Sequence, residues 1–173
     1  MTSQTYSSRN AIDPVRAKGM DTTELRENFL VEDMFVPGKI NLTYTHYDRM
    51  VVGGATPAGE ALALEAVKSM GTKSFLERRE VAIFNVGATD TVKIGDEAHT
   101  LEHRDMIYIG MGAGEISFTS ANASEPAKFY IISAPAHATY PTTMVRIGDA
   151  KRIDLGAQET SNERSIFQFV HPE

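Results

Sequence analysis

The chain has 173 residues, 42% of them hydrophobic and 23% charged, with a formal net charge of −6. A chain of this size buries roughly 68–70% of its unfolded surface, enough for one real core. The acidic balance, without a Lys/Arg cluster, argues against a nucleic-acid partner. Cysteine is absent, which leaves no disulfide framework and no Cys-ligated zinc site and fits a reducing compartment. No apolar run approaches membrane-span length, and Met1 to Asn10 lack the apolar stretch of a secretory signal, so no membrane partner and a cytoplasmic location are expected.

Residues 1–20 read as irregular. Asp21 then opens a short helix, with Glu24 three residues on completing a capping box, and the helix ends by Asn28. From Phe29 the period changes to two. Ile40, Leu42, Tyr44 and His46 alternate with Asn41, Thr43, Thr45 and Tyr47, the pattern of a strand with one buried and one wet face. Met50-Val51-Val52 is a short apolar run that Gly53-Gly54 is expected to end. Residues 59–70 support two readings: a helix capped by Gly71, or a strand over Ala61–Leu64 followed by one helical turn. Phe75 to Val86 reads as strand again. Thr91–Ile94 and Glu97–Leu101 flank Gly95-Asp96, a two-residue hairpin signal. Met106–Ile109, Glu115–Thr119 and Lys128–Ser133 complete a series of short, evenly spaced strands with no βαβ rhythm, which predicts an antiparallel sandwich or closed barrel. After Tyr140-Pro141 the chain turns polar, and 148–165 read as a surface arm or linker. Ile166 to Val170 is an apolar run that needs cover, either as a connection toward a further domain or as a strand that pairs with a partner.

Two motif frames lean toward a cupin-like jelly-roll barrel with a short N-terminal helix, over any other β-sandwich. Cupins hold a metal through G-x5-H-x-H-x3,4-E-x6-G and G-x5-P-x-G-x2-H-x3-N, whose ligands point into the barrel. Here Gly71 is followed by five residues, then Glu77-Arg78-Arg79, Glu80, six residues and Gly87. Glu77 and Arg79 stand where the histidines would be. Gly110-Met111-Gly112-Ala113-Gly114-Glu115 partly matches the second frame, with Glu115 in place of its histidine. The chain is thus expected to hold no metal of its own. The expected division is an arm and short helix over 1–28, the barrel over 29–145, and an arm or linker over 146–173 toward an absent second domain.

Other residues carry possible chemistry, each beside a plain structural explanation. Arg78 or Arg79 can clamp a substrate carboxylate in bidentate fashion, or the Glu77–Glu80 residues pair with each other or across a subunit interface. His103-Arg104-Asp105 is an acid/base-capable triplet just before a strand, or simple turn chemistry. His137 and Tyr140, in a loop of small residues between Pro135 and Pro141, can carry protons or can belong to a rigid crossover. No nucleophile elbow, Walker A loop or dinucleotide glycine pattern is present.

Several stretches resemble the 5-keto-4-deoxyuronate isomerase (4-deoxy-L-threo-5-hexosulose-uronate ketol-isomerase) family. They are Leu25-Arg26-Glu27-Asn28-Phe29-Leu30-Val31-Glu32, Asp48-Arg49-Met50-Val51-Val52-Gly53-Gly54, Phe75-Leu76-Glu77-Arg78-Arg79-Glu80, His103-Arg104-Asp105, Pro126-Ala127-Lys128-Phe129-Tyr130, Ala134-Pro135-Ala136-His137, Thr139-Tyr140-Pro141-Thr142 and Thr160-Ser161-Asn162. They follow the family's order and spacing across nearly the whole chain. The resemblance implies a double-cupin subunit, a homo-hexamer, and a uronate-derived sugar acid as the small-molecule partner. It implies interconversion of 5-dehydro-4-deoxy-D-glucuronate and 3-deoxy-D-glycero-2,5-hexodiulosonate in pectin and uronate breakdown. It also implies zinc, held by three His and one Glu of the second barrel. No family zinc ligand maps onto this chain, so zinc is expected in the absent C-terminal half and the 173 residues alone are expected to be inactive. Family members are roughly a hundred residues longer, consistent with two domains of ordinary size. The alternative is a non-catalytic sugar-acid-binding or oligomerisation cupin.

Overall fold

A computed structural model describes residues 3–171. In chain order the elements are β1 (Gln4–Arg9), α1 (Pro14–Ala17), α2 (Thr22–Phe29), β2 (Lys39–Thr45), β3 (Val51–Thr56), β4 (Leu62–Leu64), β5 (Arg79–Asn85), β6 (Asp90–Ile94), β7 (Glu97–Leu101), β8 (Met106–Ile109), β9 (Ile116–Phe118), β10 (Phe129–Pro135), β11 (Thr143–Val145), β12 (Lys151–Leu155) and β13 (Arg164–Gln168). Single 3₁₀ turns cover Lys68–Met70 and Gln158–Thr160. Among the described residues no helix is long and apolar enough to cross a membrane.

The strands form a seven-stranded sheet, β1-β2-β3-β10-β5-β8-β11, a four-stranded sheet, β4-β9-β6-β7, and a separate β12-β13 hairpin. Taken alone, β3 to β10 divide between the two large sheets, crossing from one to the other at every step except β6 to β7. One receives the first, eighth, third and sixth of these strands; the other receives the second, seventh, fourth and fifth. That order is the double Greek key of a jelly roll, the cupin-like architecture expected from the sequence.

The strand pleat makes one core from both sheets. Along β5, Arg79, Val81, Ile83 and Asn85 are buried while Glu80, Ala82 and Phe84 are only half-buried. Val81 and Ile83 sit opposite Ile109 and Ile107 on β8, and Ile83 opposite Ile131 on β10. The four-stranded sheet answers with Leu62, Val92, Ile94, Ile116 and Phe118. Phe118 and Phe129 meet across the gap with ring centroids 5.2 Å apart. Each such side chain, fully buried, contributes about 1.5–3 kcal/mol relative to exposure. Asn85 pins one end: its amide donates to the Ala88 and Leu101 carbonyls at 2.7 and 2.8 Å, and its oxygen accepts from the Gly87 N–H at 3.0 Å.

The Asp21 capping box forms as expected, with the Glu24 N–H on Asp21 at 2.9 Å and the Asp21 N–H on Glu24 at 3.2 Å. Of the two readings of 59–70, the strand followed by a helical turn is the one observed, with Gly71 left-handed at φ 65° after it. The hairpin at Gly95-Asp96 pairs Ile94 with Glu97, and Gly95 takes the positive φ of 56°.

Four elements differ from the sequence reading. Residues 4–9 are a strand, not irregular; β1 pairs parallel to β2 and is polar because it lies at the sheet edge. Its Gln4 amide clamps Glu65 through both backbone groups at 2.9 Å, tying the two sheets. Gly53 and Gly54 do not end their strand. A Cβ at Gly53 would stand 2.1 Å from the Asn41 carbonyl oxygen, and one at Gly54 2.7 Å from that of Met34, so these glycines permit close packing within β3. The strand read from Phe75 starts only at Arg79, because Phe75 and Leu76 tuck into the core ahead of it. The arm over 148–165 carries β12 and the start of β13, and the apolar run beyond it is part of that hairpin. Phe169 packs edge-on against Phe84 at 5.1 Å, and Arg104 lies over Phe167 at 4.9 Å.

Gly110 allows the last crossover to lie flat on β8: an added Cβ would fall 1.9 Å from the Tyr140 carbonyl oxygen. Gly110→Ala is therefore expected to cost about 1–3 kcal/mol, the range for overpacking, read as a fall in the urea midpoint at unchanged slope. Gly38→Ala, where nothing lies within 4 Å but φ is +73°, separates this steric cost from backbone strain.

Candidate functional site

Arginine 79 opens β5 on the inward-facing row, so its side chain enters the barrel interior and is 4% exposed. Its Nε donates to Ser133 Oγ at 3.1 Å, and its Nη2 donates to the Ser133 and Arg49 carbonyls at 2.9 and 2.7 Å. Ser133 is inward on β10, and its hydroxyl donates to the Glu80 carbonyl at 2.6 Å. Tyr44, inward on β2 and buried, lies edge-on to His46 at 5.3 Å. The His46 ring reaches Ser8 Oγ at 3.4 Å. This end of the barrel is thus lined by a cation, hydroxyls and carbonyls. Burial pulls the Arg79 guanidinium below its usual range; Tyr44 pushes the other way, and Arg49 adds repulsion.

The neighbouring turn supplies that carbonyl. Tyr47 to Met50 close a hairpin in which Asp48 and Arg49 are both left-handed, at φ 50° and 55°. Aspartate tolerates this region, whereas for Arg49 it costs on the order of 1–3 kcal/mol. The Arg79 bond and the Met50 N–H on the Tyr47 carbonyl at 3.1 Å hold them there.

Arg78 points the other way. It is exposed, and its Nε lies 3.8 Å from Glu77. The Glu77–Glu80 run is therefore not one cluster: the strand sends Arg79 inward, Glu80 outward and leaves Arg78 in solvent. The first cupin frame survives at a single inward position. Glu77 accepts from the Lys73 N–H at 2.7 Å, and Glu115 of the second frame is exposed. Among the described residues no three His, Asp or Glu side chains converge. A donor set of one guanidinium, Ser133 and Tyr44 does not fit zinc, which takes imidazole, thiolate or carboxylate.

A second polar group forms on the outer face of the same sheet. Tyr108 Oη donates to Glu80 Oε2 at 2.6 Å. Tyr140 lies near Tyr108, and the His137 and Tyr140 rings stand 6.3 Å apart at 74°. Both loop residues are exposed. Burial first, then the bond to Glu80, raises the Tyr108 phenol well above its ordinary value of 10.0.

The third group, His103-Arg104-Asp105, lies beside β7 and β8, at the other end of β5 from Arg79. Asp105 is buried and takes the Glu102 and Ile147 N–H groups, both at 3.0 Å. Arg104 is left-handed at φ 74° and stacks on Phe167. His103 is exposed, its Nδ1 3.3 Å from the Gly87 carbonyl oxygen. These are turn and hairpin contacts. The structure therefore brings Arg79 together with Tyr44, Ser133 and Arg49, and Glu80 with Tyr108, Tyr140 and His137. The inward place of Tyr44 was legible in its alternation with Thr43 and Thr45. Arg49 and Tyr108 carry no local sequence signal. A groove of about 610 Å³ bordered by Glu65, Lys73, Asp96 and Glu115 involves none of these groups.

Residues 29–173 match the model of the KduI/IolB family. The 4-deoxy-L-threo-5-hexosulose-uronate ketol-isomerase 2 of Rhizobium meliloti (strain 1021) is 54% identical over 168 residues, 97% of this chain and 59% of that protein. The 4-deoxy-L-threo-5-hexosulose-uronate ketol-isomerase of Cereibacter sphaeroides (strain ATCC 17029 / ATH 2.4.9) is 51% identical over 165 residues, 95% of this chain and 58% of that one. The chain thus spans a little under three-fifths of the length of these relatives. A solved cupin protein from Bacteroides fragilis superposes with a TM-score of 0.38 at 18% identity, over 54% of this chain and 72% of that one.

The Tyr108 phenol, raised by burial and then by its bond to Glu80, predicts a pH response. A phenol raised in the folded state binds its proton more tightly there than in the unfolded chain, so its stabilisation is complete below the ordinary tyrosine value and is lost as pH rises above it. The denaturant midpoint is expected to fall above about pH 10, and Tyr108→Phe to flatten that fall. A slope between pH 9 and 11 in the variant equal to that of the wild type would count against a raised Tyr108 phenol.

Proposed function

The chain belongs to the KduI/IolB family, and on that premise we propose that it is the metal-free, N-terminal barrel of a sugar-acid ketol-isomerase. The intact enzyme would interconvert 5-dehydro-4-deoxy-D-glucuronate and 3-deoxy-D-glycero-2,5-hexodiulosonate in the cytoplasm, as a homo-oligomer, in uronate and pectin breakdown. The observation that carries this reading is 54% identity over 97% of the chain to a protein named for that activity.

The chemistry of an aldose–ketose type exchange is proton movement between adjacent carbons, which needs an acid/base group and a stabiliser for the enediolate charge. Zinc, bound in a further domain, would supply the stabiliser. This barrel offers no set of zinc donors, so its proposed part is different: to form a wall of the site and to orient the acid end of the sugar. His137 and Tyr140 are exposed on the outer face, where a neighbouring domain or subunit can meet them; Arg79 is sealed inside and cannot touch a sugar directly.

Turnover is the direct test. The 173-residue chain, stripped of metal and given the deoxyuronate, is expected to show no conversion, whereas the product of the native gene, zinc-loaded, is expected to convert it. Conversion by the stripped chain would overturn the division of labour. Failure of the zinc-loaded native product with this substrate would overturn the reaction itself and favour the sugar-acid-binding or oligomerisation alternative.

A further inference from the structure

The β2–β3 turn presents a charge that the contacts described above leave unopposed. Asp48 and Arg49 fill both central positions of a hairpin turn whose two φ angles are positive. Glycine, asparagine or aspartate is the usual occupant of such positions, so Asp48 fits its place and Arg49 does not. An arginine there is held against its backbone preference, and a strained residue of that kind is a pointer to function. Arg79 does the holding: its Nη2 grips the Arg49 carbonyl at 2.7 Å, and Ser133 takes its remaining bonds. A buried, locked guanidinium thus fixes the backbone from which a second, exposed one projects. Among the described residues neither meets a carboxylate at ion-pair distance. The two cations also repel each other, an arrangement that an incoming anion relieves.

We propose that Arg49 is a substrate-binding residue that grips the carboxylate of a sugar acid, with Arg79 as the positioning residue beneath its carbonyl. The proposal rests on the sugar-acid reading above and specifies which residue recognises the acid. A planar guanidinium offers two parallel N–H donors that match a carboxylate's two oxygens. A neutral hexose of the same ring offers no such acceptor. Arg78, the more obvious candidate by sequence, is turned toward Glu77.

Calorimetric titration of the chain with galacturonate, galactose and inorganic phosphate tests this. Galacturonate is expected to bind more tightly than phosphate, and galactose not at all. Arg49→Gly keeps the left-handed backbone, so the melting temperature should hold or rise while galacturonate affinity falls at least tenfold. Arg49→Lys keeps the charge without the planar fork and should fall between. Arg79→Lys should weaken galacturonate binding in the wild-type background and add nothing in Arg49→Gly, the non-additivity that action through Arg49 requires. Four results would overturn the proposal: no galacturonate binding by the wild type, equal binding of galactose, a preference for phosphate, or full affinity in Arg49→Gly. Turnover by the native gene product is read separately, so failure here leaves the isomerase reading standing.

Discussion

A strand has two faces, and in this molecule every core strand must give one of them to a single shared interior. Closure of the jelly roll turns that rule into a hard selection at each position. At the start of β5 it separates Arg78, Arg79 and Glu80, three consecutive charged residues, into three environments: solvent, interior and outer face. A shift of one residue would bring Glu80 inside and put Val81 and Ile83 in water, so the register is set by those apolar side chains and by Ile107, Ile109 and Ile131 opposite them. The polar site is a consequence of apolar packing one and two pairs away.

Once Arg79 is inside, its charge governs what surrounds it. A buried cation without a carboxylate has to be solvated by dipoles. Ser133 and the Arg49 carbonyl provide them, and each is thereby tied down. This couples three separate stretches: the strained β2–β3 turn, the start of β5 and the end of β10. The same bonds that lower the cost of the cation help keep Arg49 in a left-handed conformation that an arginine rarely adopts alone.

Most of the fold was legible because period two is a strong signal where one face is buried. Ile40, Leu42 and Tyr44 announced β2, and Gly95-Asp96 announced its hairpin. The reading failed where that contrast is missing. β1 is polar on both faces and exists through backbone pairing and the Gln4 clamp. Gly53 and Gly54 looked like a stop because glycine's two uses, turning and close approach, are indistinguishable without the neighbouring strand. The site was legible only in part. Arg79 was visible as a charged residue on a strand, but its face depends on where β5 begins, and Phe75 and Leu76 disguised that start. Arg49 was silent, since its role comes from a positive φ and a bond to a residue thirty positions away.

The inward arginine also bears on what this barrel can hold. A cupin interior that binds a metal gathers imidazole and carboxylate at the position where Arg79 stands. At an effective dielectric of about 20, a unit charge about 5 Å from another costs roughly 3 kcal/mol, and a divalent ion doubles that. The site would also have to provide negative donors against this repulsion, and the groups around Arg79 are a hydroxyl, a phenol and two carbonyls. The same field that disfavours a dication favours a carboxylate. One guanidinium on the interior row thus disfavours a metal ion there, and it does so while leaving the apolar packing of the jelly roll intact.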